Sequence, residues 1–127
     1  MLKVRTKREK HRIDLHGAIW WVIPLTPTEL KDMMQQHRKV EWDSPTRVGR
    51  KERFIDYDFL NITFDRIDKI IVGWEDVVDE EGNPLPCDRE HKLLVYEYNP
   101  GVINDVIEAA DRITIEADKH EKEAEKN

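Results

Sequence analysis

Cysteine occurs once, at Cys87, so no disulfide can form within the chain and no cysteine-rich zinc site can be completed. Glycine is scarce too: the five glycines at 17, 49, 73, 82 and 101 stand apart, which excludes a glycine-rich phosphate loop. No run of about 18 apolar residues is present to span a bilayer. The basic start MLKVRTKREKHR is not followed by a signal-peptide core, because Asp14, His16, Gly17 and Pro24 interrupt Ile13 to Leu25. A reducing, cytoplasmic setting without a membrane is the expectation. The histidines at 11, 16, 37, 91 and 120 are scattered, with no pair in metal-ligand register. The acidic run Asp76, Asp79, Glu80, Glu81 lacks the alternating ligands and the following Glu of a calcium loop. Carboxylates are plentiful, but no set of residues points to acid/base or nucleophilic chemistry. The chain is read as a non-enzyme with neither metal nor cofactor.

Charge is abundant, at 38% Asp, Glu, Lys and Arg, and unevenly divided. Residues 1–53 hold 13 Lys/Arg against 7 Asp/Glu, whereas residues 54–127 hold 8 against 20. Two such halves are electrostatically complementary: they face solvent, face each other within one molecule, or meet head to tail between copies of a homo-oligomer. At 127 residues the size fits one domain: a basic arm over 1–12, a globular domain over 13–115 and a charged helical tail over 116–127.

Apolar residues alternate from Arg12 to Leu25, predicting a strand or a hairpin turning near His16-Gly17. Trp20 and Trp21 then point to opposite faces, and the second needs a cover from elsewhere in the domain or from a partner. Thr26-Pro27-Thr28-Glu29 is a helix start with a capping box, and the helix runs to about His37. Arg38 to Lys51 contains Pro45 and Gly49 with little periodicity and reads as a loop, in which Trp42 is a docking anchor or a lid.

Tyr57, Leu60, Phe64, Ile67, Ile71 and Trp74 recur at helical spacing, predicting one helix from Arg53 to Trp74, roughly 33 Å long at about 1.5 Å per residue. Gly82, Asn83, Pro84 and Pro86 cannot continue it, so Glu75 to Pro86 is a structural turn. Asp88 caps a helix to Tyr98. Asn99 and Pro100 open a last helix with an apolar face of Val102, Ile103, Val106, Ile107, Ala110 and Ile113. The expected architecture is α+β and predominantly helical: an N-terminal strand or β-hairpin on about four helices.

The block Gly73-Trp74-Glu75-Asp76-Val77, then Asp79-Glu80-Glu81-Gly82-Asn83-Pro84-Leu85-Pro86 and the Asp88 cap, resembles tail assembly chaperones of long-tailed bacteriophages and prophages. Asp76 stands where a glycine is common in that family, and Cys87 where an aromatic is common. The likeness covers Ile67 to Leu94. It implies a protein that coats the tail tape-measure protein, helps recruit the tail-tube protein, is made in the bacterial host cytoplasm, and in some relatives has a longer frameshifted product. The residues offered as partner-binding anchors are Trp20, Trp42, Trp74, Val77 and Tyr96. A rival of another class is a small nucleic-acid-binding or regulatory module using the basic arm and Arg47, Arg50, Lys51 and Arg53. No aromatic stacking platform accompanies those cations, and the acidic remainder repels phosphate, which disfavours nucleic acid.

Overall fold

The computed structural model describes residues 1–4, 6–45 and 51–125; of residues 39–45, 51–56 and 115–125 the backbone alone is described. The element order is β1 (His11–Leu15), β2 (Ala18–Val22), α1 (Pro27–Gln36), β3 (Arg38–Pro45), β4 (Lys51–Tyr57), α2 (Phe59–Ile70), β5 (Ile71–Glu75), α3 (Arg89–Tyr98) and α4 (Pro100–Glu125). This is the expected α+β class, and the N-terminal element is a hairpin. The chain forms two compact units, residues 1–25 with 67–127, and residues 26–66.

In the first unit, β1 and β2 are antiparallel with Leu15 opposite Ala18, leaving His16 and Gly17 as a two-residue turn. Both have positive φ, 53° and 73°, as a type I′ hairpin turn requires. The turn changes which residues share a face. Ile13 lies opposite Trp20 and Leu15 opposite Ala18, so these join Val22 on the buried side. A single uninterrupted strand would instead put Ile13 and Leu15 on the same face as Trp21. Trp21, on the far face, is covered from within the chain: Lys10 Nζ sits 5.2 Å from its ring centroid, and Gly73 leaves room beside it.

The third strand is β5, antiparallel to β2, with Trp74 opposite Trp20 and Gly73 opposite Trp21. The core beneath this sheet comprises Ala18, Trp20, Val22, Ile67, Ile70, Ile71, Val95, Ile103, Val106 and Ala110. Ile103, Val106 and Ala110 are fully buried on α4, with Val102, Ile107 and Ile113 flanking them, as the spacing in that segment predicts.

The single helix expected over Arg53 to Trp74 is instead strand, helix and strand. Asp58 stops β4 and caps α2, its Oδ1 accepting from the Asn61 backbone N–H at 3.2 Å. At the other end, Ile70-Ile71-Val72 is a β-branched run whose stiff side chains suit a strand better than a helix, and β5 begins there. Leu60, assigned to the buried stripe, is 60% exposed. Ile67 and Ile70 carry that burial.

In the second unit, α1 opens with the complete Thr26–Glu29 capping box. The segment read as a loop, Arg38 to Lys51, contains strand β3, which pairs antiparallel with β4: Val40 opposite Ile55 and Asp43 opposite Arg53. Cross-strand pairing of β-prone residues from two distant segments overrides the weak local signal. His37 joins α1 to α2 within this unit through Asp65, Nε2 to Oδ2 at 2.5 Å. Thr46, Arg47, Val48, Gly49 and Arg50 lie outside the described residues, so the cationic loop proposed there is not placed.

Candidate functional site: an apolar cleft with an acidic rim

β5 leads into the acidic turn through Asp76, whose φ is +63°. That left-handed conformation is the one glycine adopts most freely, and Asp is among the few other residues that tolerate it. The chain then doubles back. Val78 bridges Pro84, Leu85 N–H donates to the Val77 carbonyl at 2.9 Å, and Asp79 N–H donates to the Asn83 carbonyl at 2.9 Å. Asp79 organises the tip, its Oδ1 accepting backbone N–H groups of both Glu81 and Asn83 at 2.9 Å. These bonds, Asn83 first, hold its carboxyl below the ordinary value of 3.8 and keep it ionised. Gly82 supplies φ +85° at the reversal. Gly82 and Pro84 thus sit where the sequence places its structural turn, and Pro86 follows at its exit.

Two tryptophans fasten this tongue to the sheet. Trp74 Nε1 donates to the Leu85 carbonyl at 2.8 Å, and its ring meets Trp20 edge-on, centroids 5.7 Å apart. Trp20 in turn donates from Nε1 to the Leu15 carbonyl at 3.0 Å. Next comes α3, capped by Asp88, whose Oδ1 accepts from the His91 backbone N–H at 2.8 Å and lies 2.7 Å from His91 Nδ1. Those bonds lower the Asp88 pKa from its ordinary 3.8. Lys92, 6% exposed, donates from Nζ to both the backbone oxygen and Oδ1 of Asp68 at 3.0 Å, and Arg89 reaches Asp68 Oδ2 at 3.2 Å. This pair fixes α3 against the end of α2. Beside it, burial raises the Cys87 thiol above its usual 9.0, so it stays protonated near neutrality.

Between the hairpin tip, the tongue, α3 and the start of α4 lies a cleft of about 630 Å³. Its floor is apolar: Ala18, Trp20, Val77, Val95 and Val102. Its margin adds Val78, Leu94 and Tyr98, respectively 49%, 45% and 77% exposed. Asp76, Asp79 and Glu80 supply the acidic rim, and the carboxylates of Asp76 and Glu80 have no partner among the described residues. His16 completes the wall and ties the hairpin tip to α4 through Asp105, Nε2 to Oδ2 at 2.7 Å.

Of the anchors read from the sequence, Trp20 and Val77 meet in this cleft, but Trp20 is 2% exposed and forms its floor rather than a projecting anchor. Trp74 is half-buried behind it, and Tyr96 packs against the core on another face of α3. Trp42 belongs to β3, and its side chain lies outside the described residues. The exposed apolar groups are others, Val78, Leu94 and Tyr98. Leu94 and Tyr98 are spaced i, i+4, one step off the buried Val95; that spacing was the available signal. Among the described residues no three His, Cys, Asp or Glu side chains are grouped to hold a metal ion, and no helix is long and apolar enough to cross a membrane.

A family model described as YdaY prophage protein matches residues 62–127, just over half of the chain. The chain belongs to that family. No curated protein and no solved structure matches the chain. The YdaY-family match takes in the tongue, α3 and α4, and so most of the cleft; the β1–β2 hairpin that closes one side lies outside it. It identifies a prophage protein and does not specify a role in the tail.

Proposed function

We propose that this prophage protein acts by binding rather than by catalysis: it holds an apolar segment of another polypeptide in the acidic-rimmed cleft during tail assembly. The observation that carries this reading is the set of exposed Val78, Leu94 and Tyr98 around an apolar floor, with Asp76 and Glu80, unpaired among the described residues, beside them. Monomeric proteins seldom leave such groups together without a partner for them. A client with long apolar helical faces aggregates while unassembled. A small acidic protein that covers those faces keeps the complex soluble, and a few anchors keep the contact reversible. The likeness of residues 67–94 to tail assembly chaperones supports the tape-measure protein as the client and the tail-tube protein as a second partner.

The test is co-expression with a tape-measure fragment from the same prophage, followed by light scattering of the fragment with and without the purified protein. Stoichiometric suppression of aggregation, lost in Leu94→Glu/Tyr98→Glu, is expected. Identical scattering curves in the presence and absence of excess protein would dispose of the reading.

A further inference from the structure

We infer that the segment 1–10 of one copy docks in the cleft of a second copy, so that the protein associates head to tail until a client displaces the segment. This rests on the cleft being a polypeptide-binding site and goes further by naming an occupant.

The segment has the complementary chemistry. Leu2 and Val4 are 44% and 55% exposed, and Lys3, Arg5 and Lys7 lie beside them in sequence. No described residue before His11 is in a helix or strand. When such a segment is extended, Leu2 and Val4 share one side and Lys3 the other. Two apolar side chains can then meet the floor of Trp20, Val95 and Val102 while cations meet Asp76 and Glu80. The cleft, at about 630 Å³, has the size of pockets that enclose a ligand of several apolar groups. The excess of Lys/Arg over residues 1–53 and of Asp/Glu over 54–127 favours the same pairing at longer range. A second copy is the occupant because Lys10 lies over Trp21, on the opposite face of the sheet from Trp20. The segment therefore starts out on the side away from its own cleft. A contact between two different surfaces is heterologous and adds further copies in a row unless a ring closes.

Sedimentation velocity of the full chain at about 20 mM and about 500 mM salt tests this. Concentration-dependent association at low salt, weakened at least about tenfold at high salt, is expected, since rim charges are screened there. Two variants leave the fold alone. Leu2→Ser/Val4→Ser keeps the charge of the segment, and Asp76→Asn/Glu80→Gln keeps side-chain shape, Asn being suited to the positive φ at 76. Each variant alone should sediment as a monomer. Their equimolar mixture should form a dimer and stop, because one brings an intact cleft and the other an intact segment. Wild type that is monomeric at low salt, variants that associate as wild type does, or a mixture that stays monomeric would each overturn the inference. Client suppression assayed on the same samples separates the two readings: monomeric wild type that still protects a client removes segment docking alone, and loss of both removes the cleft as a binding site.

Discussion

Replacing Trp74 by Phe isolates what fastens the tongue to the sheet. Phenylalanine keeps a ring against Trp20 but cannot donate to the Leu85 carbonyl, which Trp74 Nε1 contacts at 2.8 Å. The lost hydrogen bond is worth about 1 kcal/mol, with a smaller further cost because the half-buried carbonyl must find water. Shrinking the indole weakens an edge-on contact worth about 0.5–1.5 kcal/mol and removes some buried apolar area at about 25 cal/mol per Å². Together these give a loss of about 2–3 kcal/mol. With a urea slope of about 1–3 kcal/mol/M, the midpoint falls by about 1 M or more. Far-UV circular dichroism is the suitable probe, since the substitution also removes a fluorophore. Amide exchange supplies the local readout: Leu85 N–H, bonded to the Val77 carbonyl, and Asp79 N–H, bonded to that of Asn83, should lose protection before α4 does. A cost below about 0.5 kcal/mol, or unchanged protection at both amides, would refute the fastening role.

Asp68→Ala should destabilise by about 2–4 kcal/mol in urea titration because it strands the Lys92 ammonium in the core, whereas Lys92→Met should cost about 1 kcal/mol or less, Asp68 keeping Arg89; equal effects would contradict the asymmetry. Asp79 and Asp88 have folded-state pKa values below 3.8, so the stability they confer is fully present above 3.8 and lost as pH falls through the lowered values. The urea midpoints of wild type and Asp79→Ala should accordingly differ by a constant amount above about pH 5 and converge under acid conditions, and divergence there would be the wrong sign. Cys87, with its pKa raised by burial, should react slowly with iodoacetamide at pH 7.5 and faster only toward its elevated pKa or on adding urea; rapid alkylation at neutral pH would contradict its half-buried placement.

Features governed by nearest neighbours could be read before the fold was known. The His16-Gly17 turn, the Thr26 and Asp88 caps, the Gly82-Pro84 reversal and the buried face of α4 all depend on residues within a few positions of one another. What escaped depended on distant pairing. The stripe from Tyr57 to Trp74 fits a helix, yet its Ile and Val residues suit a strand, and only the partner β2 decides that Ile71 to Glu75 joins the sheet. Strands β3 and β4 were hidden for the same reason. The cleft was least legible of all, because His16, Asp76 to Glu80, Leu94 to Tyr98 and Val102 come from four separate segments. The large aromatics Trp20 and Trp74 stand out in the sequence, but they pack beneath and behind the cleft rather than projecting from it.

The binding account is tested most directly by backbone amide chemical shifts of the isotope-labelled protein during titration with an amphipathic, Lys/Arg-flanked tape-measure peptide. The account predicts perturbations concentrated at Asp76 to Glu80, Leu94, Tyr98 and Val102, and saturation abolished by Leu94→Glu/Tyr98→Glu. Saturating shifts that fall elsewhere, or that survive that double substitution unchanged, would contradict it.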